Sequence, residues 1–248
     1  MSVTFEQRRD HMMKTKQMLW IPTAFTLSII SLMLGCASSP RHVKNIKEKK
    51  KEVVIVATNN VAFYAQDKTF DAKKAKQAYL DLMARFNYPI YDQLKTDAFK
   101  VTDFGLGDFA HVGMGSVAWI NENYLTGGYA GTEIFLLPGQ MIAEYKNEKC
   151  DNCPAKRESW LVRYGSIYSF TVESTLGFFP DGVEIPKSQK ECAKANNCKL
   201  ITAGKYDTHD KIGEWHFIMG GEKGAIVTQF STFQNKKGTK FSNPKIKN

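Results

Sequence analysis

The sequence contains no internal repeat and no low-complexity tract beyond a short lysine-rich stretch near its N-terminus, so solenoid and fibrous architectures are excluded. Nowhere do a strand, a glycine loop and a helix follow one another around the "GMG" and "GG" fragments, which leaves no phosphate-binding loop. No Ser-His-Asp or Cys-His arrangement can be assembled, so triad-type nucleophilic catalysis has no support. Net charge is scarce in the body of the chain. Of the formal +9, residues 1–35 carry +2 and Arg41–Lys51 carry +5, leaving +2 for residues 52–248. A body that close to neutral offers no footprint for nucleic acid.

What is present begins at the N-terminus. Arg8, Arg9, Lys14 and Lys16 precede an uncharged run, Met18 to Leu34, and "LMLGCASSP" follows it. A basic region, an apolar core and a small-residue cleavage site, in that order, make a secretory signal. Cys36 directly after the cleavage point is the lipid acceptor expected of a lipoprotein. An uncleaved membrane anchor is the alternative, since the run approaches the ~18–20 residues that span a bilayer. Both readings place the rest of the chain in the cell envelope, held to the lipid bilayer. Ala37 after Cys36 favours the outer membrane, facing periplasm or surface. "RHVKNIKEKKK" then reads as a tether lying on anionic lipid heads. In an exported chain, Cys150 with Cys153 and Cys192 with Cys198 are expected to close two disulfide staples. A four-cysteine zinc site is the alternative, although the second pair is spaced too widely for the usual knuckle.

The periodicities divide the chain into a signal (1–35), a lipidated tether (36–51), a helical N-terminal arm (52–100) and a β-barrel (101–248). "VVIVATNN" (53–60) predicts one strand. "FDAKKAKQAYLDLMARF" (70–86) places Ala75, Tyr79, Leu82, Met83 and Phe86 at helical spacing, with Asp71 as N-cap. A weaker helix is expected around Tyr91–Phe99. From Val101 onward, short β-branched and aromatic runs alternate with Gly and Asn turns, the texture of an antiparallel sandwich or small barrel. "VRYGSIYSF" and "IMGGEKGAIV" both look like hairpins turning at glycine.

One stretch carries a chemical pattern. In "PGQMIAEYKNEKCDNCPAKRESWLVRYG", Tyr145 and Asn147 project to one face of a strand and Glu144 to the other, because side chains alternate. Glu158 opens the next strand, and "GEWH" adds His216 near the C-terminus. In a barrel Tyr145, Asn147, Glu158 and His216 would converge, the ingredients of a ligand site. His111 is expected to be structural and His209 to sit in a surface loop. Trp119, Trp160 and Trp215 are expected in or around the barrel, where one could stack on a bound ligand.

These motifs, with "DFGLG", "EIFLLPGQ", "KRESWLVRYG" and "GEKGAIVTQFST", resemble the D-lyxose ketol-isomerase family of cupins over roughly Asn87 to Ile246. The resemblance implies a mainly β fold, a cupin-type antiparallel β-barrel (jelly roll), and a manganese-dependent aldose–ketose isomerisation. It implies that Glu158 and His216 occupy metal-ligand positions, that Glu144 and Lys156 match flanking positions, and that Tyr145 and Asn147 stand where the family has histidines. A phenol with a pKa near ~10 and a carboxamide are poor donors to manganese. The expected molecule is therefore a lipid-anchored cupin with no cofactor, binding a carbohydrate without catalysis. Glu158 and His216 then pair directly, with Tyr145 and Asn147 completing the network. One alternative is an active D-lyxose/D-xylulose isomerase using manganese or another divalent metal, with Lys156 and Glu144 as catalytic residues. A structural envelope lipoprotein is the other. A homodimer is left open.

Overall fold

The computed structural model describes residues 59–123, 127–150, 154–174, 177–209 and 211–246, all within one compact unit spanning Glu52–Asn248. The signal, Cys36, the tether, most of the expected strand at 53–60 and Cys153 lie outside the described residues. Among the described residues no helix is long and apolar enough to cross a membrane.

The helix α1, Ala72–Arg85, forms where the spacing of apolar residues indicated, and the Asp71 carboxylate caps it by accepting the Lys73 and Lys74 N–H groups. Its buried face of Ala75, Tyr79, Leu82 and Met83 packs with Phe99, Phe109, Phe135 and Ile226 in one apolar cluster. Each such large side chain removed from water contributes roughly 1.5–3 kcal/mol, which fixes the helix against the sheet. The helix thus covers the sheet's outer face. The second helix expected around Tyr91–Phe99 is only a 3-10 turn, Asp92–Lys95. Tyr88 and Tyr91 instead send their hydroxyls to the Glu133 carboxylate on the sheet.

The strands are β1 (Lys100–Thr102), β2 (Met114–Asn121), β3 (Tyr129–Leu136), β4 (Tyr145–Asn147), β5 (Glu158–Thr171), β6 (Asn197–Thr202), β7 (Tyr206–His209), β8 (His216–Thr232) and β9 (Thr239–Phe241). They form one curled antiparallel sheet ordered β1-β2-β3-β8-β4-β9, with β5 pairing β8 and also carrying β6 and β7. One edge of β8 bonds β5 along its length, while β3 and β4 pair with β8 as well. A short helix α2, Lys187–Lys190, precedes β6.

The two expected hairpins are instead the middles of β5 and β8. Both strands run through their glycines, and the register between them shifts at Val162/Tyr164 and Gly165/Ile167. Gly165 (φ +72°) and Gly224 (φ +77°) lie opposite one another, and a Cβ on Gly165 would stand 2.0 Å from the Gly224 carbonyl oxygen. Positive φ and the absence of a side chain let the paired strands bend together there, which curls the sheet instead of reversing the chain. The concave face holds Ile134, Leu136, Ile142, Trp160, Val162, Ile218 and Val227 in a second apolar cluster.

The expected Cys192–Cys198 staple is not formed; both are free thiols. Cys198 faces inward from β6 among Phe170, Phe217 and Val183. Burial pushes its thiol up to about 11, so it behaves as a small apolar side chain. Cys150 is also a free thiol, and its Sγ lies 3.3 Å from Asn235 Oδ1.

Candidate ligand-binding site

Strand alternation turns Tyr145 and Asn147 of β4, Glu158 of β5, and His216 and Gln229 of β8 onto the concave face, where they meet at one carboxylate. Oε1 of Glu158 accepts from Asn147 Nδ2 at 2.8 Å and from His216 Nε2 at 2.7 Å. Oε2 accepts from Lys156 Nζ at 2.9 Å and from Gln229 Nε2. The Tyr145 hydroxyl lies 3.1 Å from both oxygens. The Glu158 side chain is fully buried (0% exposed), and that of Lys156 is 17% exposed.

Burial alone would push the Glu158 carboxyl up. The Lys156 ammonium and the hydrogen bond and charge of His216 outweigh it and hold the group down at about 2, so it is ionised. His216 must then donate from both ring nitrogens. Nε2 meets this acceptor-only carboxylate, while Nδ1 meets the Glu214 carbonyl at 2.8 Å. Burial and the Glu158 charge raise the Tyr145 hydroxyl well above its ordinary value, so it stays a phenol. The His209 ring packs against His216 with centroids 3.8 Å apart. Two buried polar atoms beside this network have no protein partner, Asn147 Oδ1 and Trp160 Nε1.

The cluster ends at an open pocket. A cavity of about 290 Å³ is lined at its polar end by Tyr145, Lys156 and Gln229. Ser116 and Thr132 add hydroxyls, and Ile134, Ile142 and Phe241 supply apolar wall. A wider cavity of about 720 Å³ adjoins it, and Phe104, Met114, Thr239 and Phe241 line both.

Of the residues singled out in the sequence, Tyr145, Asn147, Lys156, Glu158 and His216 are brought together. Glu144 is not. Its carboxylate is buried on the other side of β4 and accepts the backbone N–H groups of Lys194 (2.9 and 2.8 Å) and Ala195 (2.7 Å). It anchors the segment before β6 and is out of reach as a catalytic group for the pocket. His209, expected at the surface, is buried on β7 directly opposite Glu158. Gln229 joins the site without being singled out by the sequence. Its only local signal is its place in the alternation of "GAIVTQFST", one position of several facing inward. His111 is exposed and pairs with Asp108 at 2.6 Å. Trp160 is buried, Trp119 is half-exposed over Gly131, and Trp215 lies under the Lys146 ammonium.

A divalent metal fits this donor set poorly. Among the described residues no group of three or more His, Cys, Asp or Glu is arranged to hold one. Tyr145 is a protonated phenol, Asn147 offers one amide oxygen, and His216 has a proton on each nitrogen. The carboxylate already meets the charges of Lys156 and His216. An ion would have to displace hydrogen bonds and strip protons before it met a second strong donor.

Fold and site together define a curled antiparallel β-barrel with the fold of aldose isomerases, whose pocket ends at a polar cluster centred on Glu158. The particular relatives are sugar isomerases. The chain is 27% identical over 175 residues to a D-lyxose/D-mannose isomerase of Thermosediminibacter oceani, covering 71% of this chain and 92% of that one. It is 29% identical over 147 residues to the D-lyxose ketol-isomerase of Cohnella laeviribosi, covering 59% of this chain and 77% of the relative. Among solved structures, the L-ribose isomerase of Acinetobacter sp. DL28 in complex with L-ribose aligns over 75% of this chain and 95% of its own, with TM-score 0.55 and 14% identity. The ligand-free L-ribose isomerase of Cellulomonas parahominis aligns over 76% and 96%, with TM-score 0.56 and 14% identity. No family model matches the sequence.

Proposed function

We propose that this chain is a sugar-binding cupin of D-lyxose isomerase ancestry that works without a catalytic metal, carried by a lipid anchor in the cell envelope. The observation that carries the reading is the saturation of Glu158. Lys156 and His216 supply the positive charge that a metal would supply, and Tyr145 and Asn147 spend their donors on the same carboxylate. In a metal-dependent isomerase the ion acts as a Lewis acid that polarises the sugar carbonyl and stabilises the enediolate, a contribution of several kcal/mol at the transition state. A bound polyol instead meets Lys156, Gln229 and the Ser116 and Thr132 hydroxyls, with apolar wall for its C–H faces. The anchor rests on the order of basic, apolar and small residues before Cys36.

The test uses the full-length protein in detergent, purified from manganese-supplemented medium. Elemental analysis is expected to find far less than one metal ion per chain, and D-lyxose is expected to bind without conversion to D-xylulose. Conversion abolished by a chelator would establish instead that the chain is an active isomerase, the reading favoured by the names of its relatives. Metabolic labelling with palmitate, lost in Cys36→Ser, tests the anchor.

A further inference from the structure

We infer that the pocket selects an acidic polyol, a sugar derivative bearing a carboxylate or phosphate, over a neutral sugar. The inference rests on the sugar-binding reading above and specifies its ligand.

The two adjoining cavities are lined by three lysines, Lys156 in the inner one and Lys236 and Lys245 in the outer, and by no Asp or Glu. Of the carboxylates beside these cavities, Glu158 is fully buried with both oxygens taken up by its donors, and Asp103, next to Phe104 in the outer wall, accepts from the Gly105 and Gly107 N–H groups and from the Tyr64 hydroxyl. The sequence explains the bias. From Lys223 to the C-terminus the chain contains no Asp or Glu, and its lysines include Lys236, Lys237, Lys240 and Lys245. The C-terminal segment that forms one side of the outer cavity therefore carries only positive charge. Lys146, from β4, has Glu148 as partner, whereas among the described residues no ion pair includes Lys236 or Lys245.

Unpaired ammonium groups around a concave, partly apolar cavity raise the local potential and favour an anion. The inner cavity sets where each part of the ligand goes. Hydroxyls of the polyol meet Lys156, Gln229, Ser116 and Thr132, its C–H faces lie on Phe241, and the acid group reaches outward to Lys236 and Lys245. A neutral aldose would use the inner groups and leave the outer lysines without a partner.

Isothermal titration calorimetry on the full-length protein in detergent tests this with D-lyxose, D-gluconate, D-glucuronate and D-glucose 6-phosphate. At least one acid is expected to bind about tenfold tighter than D-lyxose, a margin that shrinks as salt rises. Comparing the two carboxylates with the phosphate ester tells which acid the pocket takes. Combining Lys236→Gln with Lys245→Gln should bring the acid down to the neutral sugar's affinity without lowering Tm. Equal affinities for acids and D-lyxose, or indifference to the lysine substitutions, would overturn the inference while leaving sugar binding intact. Failure of every sugar to bind would sink the sugar-binding reading and this inference with it.

Discussion

At the scale of single residues, Glu158 decides how the interior is held together. Replacing it with Gln leaves the buried His216 cation and the partly exposed Lys156 ammonium without a counter-charge. A cost of about 3–5 kcal/mol is expected, read from chemical denaturation. Adding Lys156→Met to that variant should recover part of the loss, because one of the two stranded charges disappears. The same carboxyl sets an acid limit. Its folded value, about 2, lies below the ordinary 4.5, so the stability it contributes is fully present above about pH 4.5 and is lost as pH falls towards 2. The stability gap between the native protein and Glu158→Gln should therefore close over that interval. Sequence pattern sufficed to group Tyr145, Asn147, Glu158 and His216, because alternation along a strand is local. It could not supply Gln229 or His209. Their presence depends on Trp160 pairing with Gln229 and Glu158 with His209, registers between segments far apart in the chain.

At the scale of elements, α1 was legible because its signals lie within it, an Asp71 cap and apolar residues at helical spacing. The long strands were not. "VRYGSIYSF" and "IMGGEKGAIV" each look like a reversal when taken alone, since glycine serves turns and bulges equally well. Only the facing of Gly165 against Gly224 distinguishes the two, and no single segment contains both. That contact gives a prediction. Gly165→Ala should cost at least about 2 kcal/mol, from positive φ and from the collision with the Gly224 carbonyl. Gly105→Ala serves as control. Its φ of +70° is similar, but a Cβ there meets nothing within 4 Å, so strain alone should cost about 1 kcal/mol. Thermal denaturation of both variants separates strain from clash. Equal losses would show that the facing glycines do not matter.

At the scale of the whole molecule, the curl of the sheet brings β4, β5 and β8 together so that Tyr145, Asn147, Glu158 and His216 share one concave surface. Tyr145→His combined with Asn147→His should therefore create a divalent-metal site, since both new imidazoles would face Glu158 and His216 across the same concave surface. Elemental analysis and a manganese-dependent rise in Tm check it. A double variant that folds and still gains no ion would mean that the ammonium of Lys156 bars the cation by itself. The absence of a Cys192–Cys198 staple also belongs to this scale. Export and spacing suggested a bridge, while the curl of β6 turns Cys198 into the apolar interior. The position of β8 has a consequence for how the molecule comes into being. It is the last long strand in chain order, yet β3, β4 and β5 all pair with it. Until residue 232 has been made, those strands keep open edges and the cavity has no back wall, so nearly the whole domain must wait, unassembled and prone to stick, for its final stretch.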